Sequence, residues 1–247
     1  MQFLISWERK FDMEQMIFNQ LFDNKSSTYT YIIASGKGRE ALIIDPVIEN
    51  TNEYLKVLKE LDLKLVKVID THIHADHISG LNELNKQTNC VRVMGEKSES
   101  EVIDVRLKED EKVKIENIEL KTIYTPGHTE CSYCFLMNDR VFTGDTLLIN
   151  SSGRTDFQGG SAVAQYDSIF NKLLKLPEKT MVYPAHDYNG KTSSTIGSEK
   201  NNNPRLQVNS MEEYKKIMDD LKLANPKMMD IAVPANKKGL TLDQVKS

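Results

Sequence analysis

The sequence is short of cysteine: Cys90, Cys131 and Cys134 are the only three in 247 residues. So sparse and odd a set argues against a disulfide framework and fits a reducing compartment better. It also lacks an excess of basic charge. Thirty-six acidic against 32 basic side chains leave a formal net charge of -4, with no Lys/Arg block dense enough for a nucleic-acid footprint, so no nucleic-acid partner is expected. Long apolar runs are missing too. No stretch approaches the ~20 apolar residues of a membrane span. The run Met1 to Trp7 has no basic residues before it and meets Glu8, Arg9, Lys10 and Asp12 at once, which is too short for a signal-peptide core. These absences point to a protein with no membrane association, not exported, with a cytoplasmic location. Repeats and low-complexity tracts are absent as well.

What remains is an ordinary globular composition, 39% hydrophobic and 28% charged, over a length that suits one large domain or two small ones. Short segments rich in β-branched and aromatic residues, bounded by polar or Gly/Pro punctuation, read as strands: Met16 to Phe22, Thr28 to Ala34, Ala41 to Ile44 and Leu65 to Ile69. Tyr29 and Tyr31, alternating with their neighbours, read as strand surface. Between the strands, Tyr54, Val57, Leu58 and Leu61 share one helix face within Asn52 to Leu61, and Ser79 to Gln87 forms a shorter helix. Further strands are expected at Lys112 to Ile115, Glu119 to Tyr124, Ser132 to Met137, Arg140 to Thr143 and Met181 to Tyr183, with helices at Ala162 to Leu174 and Met211 to Leu221. The interleaving implies a layered α/β domain. A polar run, Lys191 to Asn203, precedes Pro204; we expect a single domain over 1–247, with 204–247 as a C-terminal appendage packed on it.

Five histidines are present, and three of them fall within six residues, in Thr71-His-Ile-His-Ala-Asp-His77. This run leaves an apolar strand and enters a helix, the place where α/β folds collect ligands. Imidazoles and a carboxylate suit Zn(II), Fe(II) or Mn(II). The other two histidines follow expected strands in the same way, as Pro126-Gly-His128 and Pro184-Ala-His186, and so does Asp145 in Gly144-Asp145. Four strand ends thus offer seven potential ligands: His72, His74, Asp76, His77, His128, Asp145 and His186. Cys131-Ser-Tyr-Cys134 enters a strand, where residues three apart face opposite ways, so it reads as structural rather than as a redox or zinc pair.

In this order the motifs resemble the metallo-β-lactamase superfamily, from about residue 16 to the end. The resemblance implies an αββα sandwich, two mixed sheets between outer helices, with the metal site at one edge. It places His72, His74 and His128 at one metal position, Asp76, His77 and His186 at a second, and Asp145 between them. A second group of segments, Gly153-Arg-Thr-Asp-Phe-Gln158, Tyr183-Pro-Ala-His-Asp-Tyr188, Asn203-Pro-Arg-Leu206 and Asp230 to Asn236, resembles the persulfide dioxygenases, also called sulfur dioxygenases, of hydrogen sulfide metabolism. That family holds one Fe(II) per chain on positions matching His72, His128 and Asp145, which leaves open coordination for substrate and O₂. His74, Asp76, His77 and His186 then orient the triad by hydrogen bonding.

The resemblance implies oxidation of a thiol persulfide, such as glutathione persulfide, with O₂ to sulfite and free thiol. Arg154, Tyr188 and Arg205 are candidate contacts for the thiol carrier. Arg154 and Asp156 also read as a buried ion pair pinning a loop. Where the family often has a loop cysteine, this sequence has Ser151-Ser152. The protein partners expected are a second copy in a homodimer and a separate sulfurtransferase. Two alternatives stand beside this reading: a glyoxalase II-like thioester hydrolase with two Zn(II), and a non-catalytic binding module. The 61 residues after His186 are few for the former's helical C-terminal domain, and the filled ligand positions argue against the latter.

Overall fold

The run Thr28-Tyr-Thr-Tyr-Ile-Ile-Ala34 has bulky or β-branched side chains on both sides of the strand, and it is buried on both faces, as a strand in the middle layers of a sandwich must be. A computed structural model describes residues 16–246; the expectation for Met1 to Trp7 lies outside the described residues. The first sheet runs in the order β1 (Ile17–Asp23), β2 (Thr28–Ala34), β3 (Glu40–Ile44), β4 (Lys64–Ile69), β5 (Val91–Gly95), β6 (Val105–Leu107). Its first three strands are antiparallel and its last four parallel, β3 belonging to both sets. The second sheet contains β7 (Lys112–Ile115), β8 (Ile118–Tyr124), β9 (Tyr133–Leu136), β10 (Arg140–Gly144), β11 (Met181–Pro184) and β12 (Ser194–Thr195), in spatial order from β12 back to β7. Only β10 and β11 pair parallel within it.

Between the sheets lies a core of Tyr31, Ile33, Leu42, Ile44 and Ile69 against Val113, Leu120, Tyr133, Phe135 and Phe142. On the outer face of the first sheet, α1 (Thr51–Glu60) and α2 (Leu81–Thr88) set Tyr54, Leu58, Leu81 and Leu84 against Ile32, Ile43 and Val68. The second sheet is covered by α3 (Ala162–Tyr166), α4 (Ile196–Asn202) and α5 (Met211–Asp219), whose Ala162, Ile196, Tyr214 and Met218 meet Ile123, Val141 and Val182. After α3 the chain continues through a wider turn, Asp167–Lys172, and a tight one, Leu173–Lys175, along the expected helix. Near the end, α6 (Met229–Lys238) packs Ala232 and Ala235 on Ile48 and Ile78, and α7 (Leu242–Lys246) follows. The architecture is the expected αββα sandwich.

Several readings need correction. Tyr29 and Tyr31 are not strand surface: both are buried between the sheets, because β2 is central and its tyrosines carry polar tips that find partners inside. β5, β6 and β12 were not expected; β5 carries Arg92 in its apolar run, and β6 and β12 are too short to show a pattern. The polar run before Pro204 is structured. It folds as β12 and α4, and its Glu199 and Asn203 are fully buried, bonded to the backbone of Asn150 and Ser151 in the loop after Asp145. Cys131 and Cys134 fit the structural reading, since one lies in the core outside the first sheet and the other outside the second.

Tyr31 ties the two sheets together at the strand end next to His186. Its hydroxyl donates to the Pro184 carbonyl at 2.6 Å from a fully buried position. Tyr31→Phe keeps the ring packing but leaves that buried carbonyl without its donor, so it is expected to cost ~1–3 kcal/mol. A denaturant midpoint that does not move, at constant m-value, would refute this role.

Candidate metal centre

Every side chain of the cluster leaves a strand at the same edge of the sandwich. β4 ends at Ile69 and releases the loop carrying His72, His74, Asp76 and His77; β8, β10 and β11 lead to His128, Asp145 and His186. Gly144, the last residue of β10, is required for this path. Its φ is +51°, and a Cβ there would lie 2.7 Å from the Thr71 hydroxyl, so only glycine lets Asp145 sit beside the histidine loop. The two sheets also touch here: Tyr29 N–H donates to the Ala185 carbonyl at 2.7 Å, and Thr28 bridges to His186.

His72, His128 and Asp145 can each aim one donor atom so that the three lie within 4.8 Å of one another. Their hydrogen bonds fix which atom that is. Asp45 Oδ2 accepts from the Thr71 hydroxyl at 3.0 Å, and the same hydroxyl oxygen lies 2.9 Å from His72 Nδ1. With its proton given to the carboxylate, Thr71 accepts from Nδ1–H of His72, which leaves Nε2 with a free lone pair. His128 Nδ1–H donates to the Arg154 carbonyl at 2.7 Å, again freeing Nε2, which stands 3.5 Å from Asp145 Oδ2. Burial, helped by the neighbouring His74, holds His72 well below the usual imidazole range, so it stays neutral. Burial works against the charge on Asp145, but the paired His186 holds its carboxyl well below the usual range. Two imidazole nitrogens and a carboxylate converging in a buried site fit a divalent metal.

His186 is placed differently. Its Nδ1 is 2.6 Å from Asp145 Oδ1 and its Nε2 2.9 Å from Asp76 Oδ2. Both nitrogens donate to carboxylates, and although burial opposes the charge, Asp145 and Asp76 raise His186 well above the usual imidazole range. Asp76 Oδ2 also accepts from His77 Nδ1 at 2.8 Å and from the Thr28 hydroxyl at 3.2 Å. His74 Nε2 meets Asp45 Oδ1 at 3.2 Å; burial opposes its charge, but Asp45 and the other nearby carboxylates raise it to about 9. His74 Nδ1 and His77 Nε2 are buried and have no partner. With Asp76 these two residues form a second group that can hold a metal, and Asp45, Asp70 and His74 a third.

The site opens into a cleft with two chambers, about 220 Å³ and about 680 Å³, which share Asp76, Arg154, Tyr188, Leu223 and Pro226. Arg154 spends its guanidinium on structure: it pairs with Asp156 at 2.6 Å, donates to the Ala224 and Leu223 carbonyls, and lies 4.2 Å over the Phe157 ring. The ion pair exists, but it is buried on one side only, with Arg154 12% and Asp156 54% exposed. Tyr188 is exposed and parallel to the His186 ring, centroids 6.1 Å apart. Arg205 lines the smaller chamber, donates to the Ser152 carbonyl, and forms no ion pair among the described residues. Thr28, Asp45 and Thr71 were not singled out from sequence. Asp45 and Thr28 belong to no motif, and only the strand ends bring them to the histidines.

The sandwich and its edge cluster of imidazoles and carboxylates define a metal-dependent protein. A family model described as the metallo-beta-lactamase superfamily matches residues 24–186. The mouse protein "Persulfide dioxygenase ETHE1, mitochondrial" is 42% identical over 226 residues, which cover 90% of this chain and 88% of that protein. The crystal structure of ETHE1 from Myxococcus xanthus superposes with a TM-score of 0.87 at 45% identity, covering 90% of this chain and 98% of that one. A hydroxyacylglutathione hydrolase from Dictyostelium discoideum is more distant, 32% identical over 70% of this chain and 68% of its own. The chain belongs to the metallo-beta-lactamase superfamily and, within it, to the persulfide dioxygenase family. No helix among the described residues is long and apolar enough to cross a membrane.

Gly153 gives the triad its room. A Cβ there would lie 2.1 Å from the Asp145 carbonyl and 2.9 Å from the His128 ring. Gly153→Ala is therefore expected to push His128 out of line and weaken metal binding by ~10-fold or more, an effect typical of a disturbed ligand support. Unchanged metal affinity in the folded variant would show that His128 tolerates the displacement.

Proposed function

We propose that this protein is an Fe(II)-dependent persulfide dioxygenase that converts a low-molecular-weight thiol persulfide, R-S-SH + O₂ + H₂O, into R-SH, sulfite and two protons. One observation carries the choice. His186 has both ring nitrogens engaged by Asp145 and Asp76, so the side chain that the superfamily resemblance places at a second metal position is engaged in orienting the first site. This supports one iron on His72, His128 and Asp145, with His74, Asp76, His77 and His186 holding that triad in place. Similarity to persulfide dioxygenases over 90% of the chain supports the same reading.

An Fe(II) held by His72, His128 and Asp145 would supply sites at which a persulfide sulfur and O₂ are brought together and activated. The chain's own residues do the rest. The Asp45–Thr71–His72 hydrogen bonds keep His72 in the tautomer that offers Nε2. Asp145 is held ionised by the His186 cation, which also retains a proton between two carboxylates at the mouth of the site. Arg205, charged and without an acidic partner among the described residues, suits a carboxylate of the thiol carrier, and the exposed Tyr188 ring forms a wall shared by both chambers. Arg154 serves the carrier indirectly by fixing the Leu223–Ala224 wall. The buried free cysteines fit a reducing, cytoplasmic setting. A homodimer and a separate sulfurtransferase are further partners of this reading.

A second reading has its own support: the unpartnered His74 Nδ1 and His77 Nε2 beside Asp76 can take a second metal, as a two-Zn(II) thioester hydrolase needs. The assays separate the two. Protein purified from iron-replete cells is expected to contain about one iron per chain, to consume O₂ and release sulfite in equal amounts with glutathione persulfide, and to hydrolyse S-lactoylglutathione slowly or not at all. Two zinc ions and rapid anaerobic thioester hydrolysis, without persulfide-dependent O₂ uptake, would overturn the proposal.

The ligand assignment predicts a contrast among alanine variants. His72→Ala, His128→Ala and Asp145→Ala are each expected to lose iron and activity together, whereas His186→Ala retains most of its iron at saturating metal, with affinity lowered ~10- to 100-fold. Iron analysis after equilibration decides it: loss in His186→Ala as complete as in His72→Ala would make His186 a ligand.

A further inference from the structure

The loop carrying His72 to His77 is neither helix nor strand, so its buried backbone groups need partners from elsewhere. Three of those groups are served by one side chain from the far end of the sequence. Asn236, in the last turn of α6, donates from Nδ2 to the His74 carbonyl and to the His77 carbonyl, both at 2.9 Å, and its Oδ1 accepts the Ser79 N–H at 2.8 Å. Two acceptors face its nitrogen and one donor its oxygen, so only one orientation of the amide fits. The residue is buried, at 9% exposure. Its own backbone is fastened in turn: Ser100 Oγ donates to the Asn236 carbonyl at 3.2 Å, and Glu101 N–H to the Lys237 carbonyl at 2.7 Å.

We propose that Asn236 is a positioning residue for the metal centre: its carboxamide sets the turn from His74 to Ser79. Both carbonyls it holds belong to histidines of the cluster, and with them in place the His74 and His77 rings lie tilted at 38° with centroids 4.3 Å apart beside Asp76. Without the amide, two buried carbonyls lose donors and the turn can satisfy them only by moving toward water, which carries the imidazoles with it. The inference rests on the metal-centre reading alone and is independent of the thiol and of O₂.

The test is Co(II) titration of the metal-stripped full-length protein, read by the absorption bands of the bound ion, with hydrogen exchange of the loop amides in the metal-free state as a second measurement. Asn236→Ala is expected to raise the Co(II) dissociation constant ~10- to 100-fold, change the band shape, and speed exchange between His74 and Ser79. Asn236→Asp keeps the acceptor for Ser79 but sets a carboxylate oxygen against two carbonyls, so it is expected to be at least as impaired. Ser100→Ala loosens α6 without touching the loop and is expected to bind Co(II) normally. Asn236→Ser, small and polar, carries the same expectation as the alanine variant should that one not fold. Unchanged affinity, spectrum and exchange in a folded Asn236 variant would overturn the proposal, and so would a Ser100→Ala defect as large as that of Asn236→Ala, since helix docking alone would then account for it. Persulfide oxidation that fails while Co(II) behaves as expected would count against the activity, and not against the role of Asn236.

Discussion

The His186 imidazole, gripped between Asp145 and Asp76, is the interaction on which the site depends. It joins the end of a strand in the second sheet to the histidine loop of the first, so the two halves of the cluster share one cation. Burying so many ionisable groups carries a desolvation cost that pairing must offset. The arrangement does so by alternating charge: carboxylate, imidazolium, carboxylate. Removing the middle member would leave two carboxylates facing each other, whereas removing an outer one leaves the buried imidazolium with a single counter-ion. The edge of the sandwich is thus electrostatically consistent only as a set, which explains why its members arrive on four separate strand ends that the β-sheets hold in fixed register.

Around that set, the chain uses small residues and backbone groups to decide direction. Gly144 and Gly153 leave space where a Cβ would collide with Thr71 or with His128. Asp45 acts through Thr71 on His72, and the Arg154 carbonyl acts on His128. In each case the Nδ1 side of the ring is satisfied by the protein, so the free lone pair is Nε2 on both histidines. The metal geometry is therefore prepared by hydrogen bonds one residue removed from it.

Much of this was legible in the sequence because the ligand-bearing residues are local in the chain. His72 to His77 fall within one loop, and Gly144-Asp145, Pro126-Gly-His128 and Pro184-Ala-His186 each mark a strand end. The sandwich followed from short apolar segments alternating with amphipathic ones. What escaped was set by contacts distant in sequence. Asp45 ends no motif, yet it accepts hydrogen bonds from Thr71 and His74. Nothing in the polar run before Pro204 signals that Glu199 and Asn203 bond the loop after Asp145. Tyr31 looks amphipathic on its strand because its hydroxyl has a buried acceptor 153 positions away.

The two arginines show why residue type alone cannot assign a role near such a site. Arg154 and Arg205 both line the smaller chamber. Arg154 already has a carboxylate, two backbone carbonyls and an aromatic face, so a substrate anion would have to compete with all of them. Arg205 has backbone and hydroxyl acceptors at Ser152 but no anion among the described residues, and burial works against its charge. A half-buried cation without a counter-ion gains most when one is supplied. The asymmetry gives the chamber one fixed wall and one charge without an acidic partner among the described residues, which would suit the acidic end of the proposed thiol substrate.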